Sequence, residues 1–289
     1  MVEVGDLLLA LYGATSGDIA ISKIKGAINQ AILCIRTKQN KKFIESVWNK
    51  HVERLLQTYL QGGQGNLSAD IVKNIPFYFA SCAEQDKLAQ FVSLLDERIA
   101  TQNKIIEKLQ SLIKGIIETV ISSQKPNTFI KNCLECDSST LQESQVAENG
   151  AYPVYGATGI SGYTETADVN GEAILITKDG SGVGTVKFAD GEYSYIGTLN
   201  RLIAREGYCL KYLYFALQGF CFEPYKTGMA IPHIYFKDYG KAKIFCPTIE
   251  EQSIIAKSLS VIENKISVEK QILFCNQLQK SYLLSQMLI

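Results

Sequence analysis

The sequence predicts a mixed α+β protein in which a small α/β globule followed by a long helix occurs twice. Three observations lead there. EQDKLAQFVSLLDERI at 84–99 returns as EQSIIAKSLSVIENKI at 251–266, a shift of 167 residues. Both copies carry apolar residues at alternating spacings of four and three, the mark of a heptad seam. A weaker likeness at the same shift reaches the strand-like segments upstream.

Taken in order, GDLLLALYGATSGDIAI at 5–21 reads as strand, glycine-rich turn and strand. Its counterpart is GEAILITKDGSGVGTVKF at 171–188. NQAILCIR at 29–36 parallels NRLIAREG at 200–207, and helical WNKHVERLLQTYLQG at 48–62 parallels CLKYLYFALQG at 209–219. NIPFYFASCAEQ and AKIFCPTIEEQ then lead into the two long helices.

The first helix is expected over 84–121, with a seam through Leu88, Val92, Leu95, Ile99, Gln102, Ile106, Leu109, Ile113, Ile116 and Val120. The second follows Ile255, Leu259, Ile262, Ile266 and Leu273, meets Asn276 and Lys280, and resumes at Leu283 and Met287. Gln102 and Glu269 fall at equivalent seam positions, where a polar residue fixes register while reducing stability. A lone apolar stripe needs a partner, and the other copy is the economical one, so an intramolecular coiled coil is expected. Pro126 in SQKPNTF stops the first helix and marks the main boundary. The resulting segments are 1–81, 82–124, 125–250 and 251–289. About forty-five residues from Pro126 precede Gly171, whereas only MVEV precedes Gly5, so the first globule is expected to begin part-way through its fold.

Composition narrows the function. With 29 basic and 29 acidic residues, the chain lacks the cationic excess that coats nucleic acid by bulk attraction, although selective readout remains open. No stretch has the length and apolarity of a membrane span and the N-terminus does not read as a signal peptide, so a cytoplasmic protein with no membrane partner is expected. Eight cysteines are too sparse for a disulfide scaffold, and the Cys133-x-x-Cys136 pair has no second pair to complete a zinc site. No metal is expected.

Several motifs resolve to structural readings. KDGSGVG lacks the following helix that a phosphate cradle needs and reads as a hairpin turning at Asp179-Gly180. NIPF departs from the base-gripping motif of adenine methyltransferases at Ile75. Two histidines give little general-base machinery, and no catalytic cluster assembles. His233 aligns with Asn66 at the repeat shift and suits either a polar contact or a turn. Residues 152–235 interleave tyrosines with Lys178, Lys187, Arg201, Arg205 and Lys226. Most of those tyrosines are expected in half-buried strands. Loop positions are assigned to Tyr155, Thr158, Lys178, Ser181, Lys226 and Thr227, the candidates for base or phosphate contact.

The order globule–helix–globule–helix, the two EQ-initiated helices, TKDGSGVGTV and YPVYGATGISGY together resemble the specificity subunit of type I restriction–modification systems over nearly the whole chain. Ala80 stands where the second copy has Pro247. The resemblance implies two α/β target-recognition domains separated by two long antiparallel coiled-coil helices, each domain reading half of a split double-stranded DNA sequence. Tyr155, Thr158, Lys178, Ser181, Arg201, Lys226, Thr227 and His233 become the expected DNA contacts. Two methyltransferase subunits and the restriction subunits are the implied partners. S-adenosylmethionine, Mg and ATP would belong to those partners, leaving this chain non-catalytic and without a cofactor. The competing reading is a coiled-coil scaffold whose globules bind proteins and no DNA.

Overall fold

The computed structural model describes residues 1–59, 67–180, 182–228 and 230–287. The chain falls into two compact units, Met1–Ile106 with Val268–Ile289, and Glu107–Ser267.

In the first unit β1 (Leu7–Ala10), β2 (Ile19–Ile21) and β3 (Ile32–Ile35) form an antiparallel sheet of order β2-β1-β3. Gly17 allows the adjoining helix to close on this sheet. It sits at φ +89°, where a Cβ would lie 2.7 Å from Val52. Its carbonyl accepts the Trp48 indole N–H at 2.7 Å. The helix, α1 (Lys41–Tyr59), starts earlier than its apolar periodicity predicts, because the Asn40 side chain caps it by accepting the Phe43 N–H at 3.1 Å. A short α2 (Ala69–Lys73) is capped by Ser68. Leu9, Leu11, Trp48, Leu67 and Ile75 form the core, and Phe77 packs on Trp48 at 6.3 Å, so NIPF serves packing. Then α3 (Cys82–Ile116) begins.

The helix does not end at Ile116 but widens into a π-helical turn over Ile117–Ser122. A π turn takes up an extra residue, which shifts the buried face by one position. Ile117 and Ile121 are therefore buried and Val120 is exposed, whereas an even heptad places Ile116 and Val120 on the seam.

The second unit opens with β4 (Thr128–Phe129), α4 (Ile130–Cys133) and β5 (Leu134–Ser138). It continues through β6 (Tyr152–Tyr155), β7 (Ile160–Thr164), β8 (Val169–Asn170), β9 (Ala173–Thr177), β10 (Val186–Ala189), β11 (Glu192–Tyr195) and β12 (Leu199–Ala204). These build two four-stranded sheets, β10-β9-β12-β5 and β7-β6-β11-β8. All of AILIT in β9 is buried, as its unbroken apolar run requires of a strand covered on both faces. Tyr212, Leu213 and Phe215 of α5 (Leu210–Gln218) are fully buried. After α6 (Phe236–Tyr239), β13 (Lys243–Ile244) pairs with β4 and closes the globule, and α7 (Ile249–Met287) follows. KDGSGVG lies between the antiparallel strands β9 and β10, so a strand follows it and not the helix a phosphate cradle needs.

Both long helices start on the same chemistry. The Ser81 N–H and hydroxyl donate to Glu84 at 3.0 and 2.7 Å, and those of Thr248 donate to Glu251 at 3.1 and 3.2 Å. The glutamine that follows each glutamate is buried. Gln85 donates to the Ala80 carbonyl at 2.9 Å and accepts the Asn40 N–H at 3.1 Å. Gln252 donates to the Pro247 carbonyl at 2.9 Å and accepts the Cys209 N–H at 3.0 Å. The repeated Glu-Gln is thus a cap followed by a clamp on the preceding globule helix.

Along the seam Val92, Leu95, Ile106, Leu259 and Ile266 are buried, and Leu88, Ile99, Leu109, Ile255, Ile262 and Leu273 are half-buried. Within the first unit Leu88, Val92 and Leu95 face Leu283, Leu284 and Met287. Asp96 accepts from Lys280 at 2.5 Å, and Gln102 donates to Glu269. Partners on α7 fall in number as those on α3 rise, so these stretches run antiparallel.

Candidate nucleic-acid interface

The loops proposed from sequence lie in the second unit, and hydrogen bonds gather three of the expected residues. Thr227 and His233 exchange backbone bonds at 2.9 and 2.8 Å, closing a small hairpin. Gly228 sits inside it at φ +87°, with no space for a Cβ, which would meet the Ile231 carbonyl at 2.3 Å. The Gly180 N–H donates to Pro232 and the Ile234 N–H to Lys178, each at 2.9 Å, which fastens the β9–β10 loop to this hairpin. Lys178, Thr227 and His233 therefore share one patch. Lys226 joins it but is paired with Glu223 at 2.5 Å. Ser181 lies outside the described residues.

The remaining expected contacts lie elsewhere. Tyr155 is the last residue of β6 rather than a loop residue, and its ring packs edge-on against Tyr193 at 5.4 Å. Thr158 is exposed at the tip of a tight turn in which Gly156 and Gly159 bond reciprocally. Lys187 holds that turn, donating to the carbonyls of Gly156 at 3.2 Å and Ala157 at 2.8 Å, and burial lowers its ammonium pKa. Arg201 lies on β12 and is committed to Asp137 at 2.6 Å. The Tyr195 hydroxyl donates to the same carboxylate at 2.6 Å; burial and that bond together push its phenol up. This is an internal brace, which leaves little of Arg201 for a ligand.

Sequence reasoning did not single out Ile231 and Tyr235. Ile231 is 66% exposed and Tyr235 46% exposed, and the Lys237 ammonium lies 5.0 Å from the Tyr235 ring centre. The signal was Met-Ala-Ile-Pro at 229–232, an apolar run where a polar turn is usual. A chain of bonds running from the surface into the core supports the patch: Lys178 to Ser138 at 3.2 Å, Ser138 to Asn200 at 3.1 Å, and the buried Asn200 to Tyr239 at 3.2 Å. Such a patch offers a cation, a hydroxyl, an imidazole and apolar surface, the mixture that reads base edges beside phosphates.

Among the described residues no group of three His, Cys, Asp or Glu could hold a metal, and no helix is long and apolar enough to cross a membrane. The cysteines are free thiols; that of Cys133 donates to the Ile130 carbonyl at 3.2 Å, and the neighbouring Cys246 together with burial raises its pKa.

Known proteins resemble the chain in the same terms. A search of solved structures finds an S subunit of a type I restriction–modification system from M. genitalium at TM-score 0.70 and 16% identity, covering 99% of this chain and 83% of that one. A chain from work on complex assembly and conformational transition of the type I R-M system matches at TM-score 0.57 and 16% identity, covering 99% and 82%. The type I restriction enzyme MjaVIII specificity subunit of Methanocaldococcus jannaschii is 25% identical over 127 residues, which are 42% of this chain and 29% of that protein. The match thus spans less than a third of that relative's length. The family model described as the type I restriction modification DNA specificity domain matches residues 2–111 and 133–274, a globule and a long helix each time. With both halves of the repeat so covered, the chain belongs to the type I restriction modification DNA specificity family.

Proposed function

We propose that this chain is the DNA-recognition subunit of a type I restriction–modification complex, each globule reading one half of a bipartite duplex site. The observation that carries the reading is the twofold family match, one per globule and helix. The patch of Lys178, Thr227, His233, Ile231 and Tyr235 is the proposed reader of the second globule. Arg201 serves as its scaffold. Formal charge of +0 leaves most phosphate attraction to partner subunits.

Methyl transfer and ATP-driven cleavage belong to two methyltransferase subunits and to restriction subunits, which bring S-adenosylmethionine, Mg and ATP. An outward stripe on α7 supports the docking of such partners. Ile254, Val261, Val268 and Tyr282 repeat at multiples of seven residues and are 66, 64, 48 and 64% exposed. Large apolar side chains aligned on a helix away from its own seam mark an interaction surface.

Reconstitution with candidate methyltransferase subunits, followed by mapping of methylated adenines, tests the reading. A split motif is expected. Absence of both methylation and retention on duplex DNA would favour the protein-binding scaffold.

A further inference from the structure

At the shift of 167 residues, the turn that follows β1 in the first unit repeats the turn that follows β9 in the second, bond for bond. The Gly17 N–H donates to the Ala10 carbonyl at 2.9 Å, and the Gly184 N–H to that of Thr177 at 2.9 Å. Ala10 donates to Asp18 and Thr177 to Thr185, at 2.9 and 3.0 Å. Inside the turns Ser16 donates to Gly13 and Val183 to Gly180, at 3.1 and 3.2 Å, while Asp18 donates to Thr15 and Thr185 to Gly182, at 2.9 and 3.0 Å. Gly13 and Gly180 share the left-handed region at φ +85° and +91°, as do Gly17 and Gly184 at +89° and +88°.

The match extends to the segment packed behind each turn. The Leu67 N–H donates to Leu11 at 2.8 Å, just as the Ile234 N–H donates to Lys178 at 2.9 Å. Residues 11–16 therefore hold, in the first unit, the place that Lys178 and its loop hold in the reading patch of the second. Their side chains differ in kind. Leu11 is buried where Lys178 brings its ammonium, and Tyr12 packs half-buried on the core of Leu9, Leu11 and Trp48. The Ser16 hydroxyl donates to the Leu11 carbonyl at 3.0 Å and so ties the turn to its own base. Ala14 and Thr15 are left exposed at the tip. No residue from 11 to 16 is acidic or basic.

We propose that the turn at 12–16 is a base reader of the first globule, and that Ala14 and Thr15 at its tip select an A·T pair through the thymine methyl group. This rests on the DNA-recognition reading above and deepens it by naming a second set of reading residues and the base they take. A guanine edge offers two acceptors to the major groove and is met by Arg or Lys, which this turn lacks. Thymine offers a C5 methyl beside the O4 acceptor. The methyl groups of Ala14 and Thr15 suit the first, and the Thr15 hydroxyl can donate to the second. One backbone frame thus carries a cation in one globule and methyl groups in the other, which gives the two halves of a split site different base preferences.

The test uses the full chain reconstituted with methyltransferase subunits, and as probes duplexes of its mapped motif in which one thymidine at a time is replaced by deoxyuridine, which lacks only the C5 methyl. At one thymidine the replacement is expected to weaken binding by wild type about fourfold, the worth of one buried methyl group. A chain carrying Ala14→Gly and Thr15→Ser, which keeps the hydroxyl and removes both methyl groups, should bind the thymidine and deoxyuridine duplexes at that position equally. If no thymidine is sensitive in wild type, the proposal is overturned whether or not the variant folds. It is also overturned if every sensitive thymidine stays equally sensitive in the variant. Both of those results leave a split motif standing, so they remove this inference alone, whereas a wild-type complex that neither methylates nor retains duplex DNA removes it together with the proposed function.

Discussion

Gln102 and Glu269 stand one repeat apart, 167 residues, and they touch: the Gln102 amide donates to the Glu269 carboxylate and, at 3.0 Å, to its backbone carbonyl. In an antiparallel pair of related helices, equivalent positions face each other at one level and diverge on either side. This pair marks that level, with a buried polar contact where two leucines would hold more tightly.

Gln102→Ala removes the donor from the opposite helix and is expected to cost about 1–3 kcal/mol in urea unfolding. Replacing both residues by leucine should raise the melting temperature above wild type while weakening the register. A double variant less stable than Gln102→Ala would contradict this account.

Gln252→Ala strands the Cys209 N–H and the Pro247 carbonyl, and Gln85→Ala strands their counterparts. Each is expected to destabilise its own unit by about 2 kcal/mol. Hydrogen exchange at the start of α5 or α1 reports which unit loosens. A loss shared equally by both units would show that the clamps do not act locally.

Asp96 lies between Lys280 at 2.5 Å and Lys42 at 2.7 Å. Burial pushes its carboxyl up, but hydrogen bonds from the two ammonium groups outweigh burial and hold it below its ordinary range. Its folded pKa is therefore lower than the unfolded value of about 3.9. The stabilisation is complete above that value and drains away as pH falls through the folded pKa. Asp96→Asn should flatten the acid limb of a melting curve series, and parallel limbs in the two proteins would refute the assignment.

Gly228→Ala forces a Cβ toward the Ile231 carbonyl at φ +87° and should distort the Thr227–His233 hairpin. If the patch reads DNA, the methylated motif loses one half while far-ultraviolet circular dichroism is unchanged. His233→Ala and Ile231→Ala should relax preference at single positions, each by about 1–3 kcal/mol.

Val261→Asp alters a 64% exposed position on the outward stripe of α7. Stability should move by no more than about 0.5 kcal/mol. Co-elution with methyltransferase subunits should fall sharply, and undiminished co-elution would remove this stripe from the interface.

The repeat made much of this architecture legible, because heptad spacing and the Ser/Thr-x-x-Glu-Gln signature are local chemistry. The π turn was not legible: Ile116, Ile117, Val120 and Ile121 are all apolar, and only the winding decides which pair is buried. The start of α1 was visible in Asn40 as a cap, but LysLys in the first turn masked it. At the candidate site the sequence placed Lys178, Thr227 and His233 near turns, yet nothing local reveals that Asp137 engages Arg201 from 64 positions away. Tyr155 looked like a loop residue because glycines follow it, though β7 pairs with it through a bulge.

Asn127 exchanges two hydrogen bonds of 2.8 Å with the backbone of Cys246, and β4 lies against β13 beside them. Where the chain comes into the second globule and where it leaves are thus buttoned together at a single point. Among the described residues, the stretch between those two is pinned to α7 by hydrogen bonds and ion pairs through Cys209 at Gln252 and through Lys211 and Tyr214 at Glu263, so a different stretch of polypeptide that kept those three contacts should leave that helix in place.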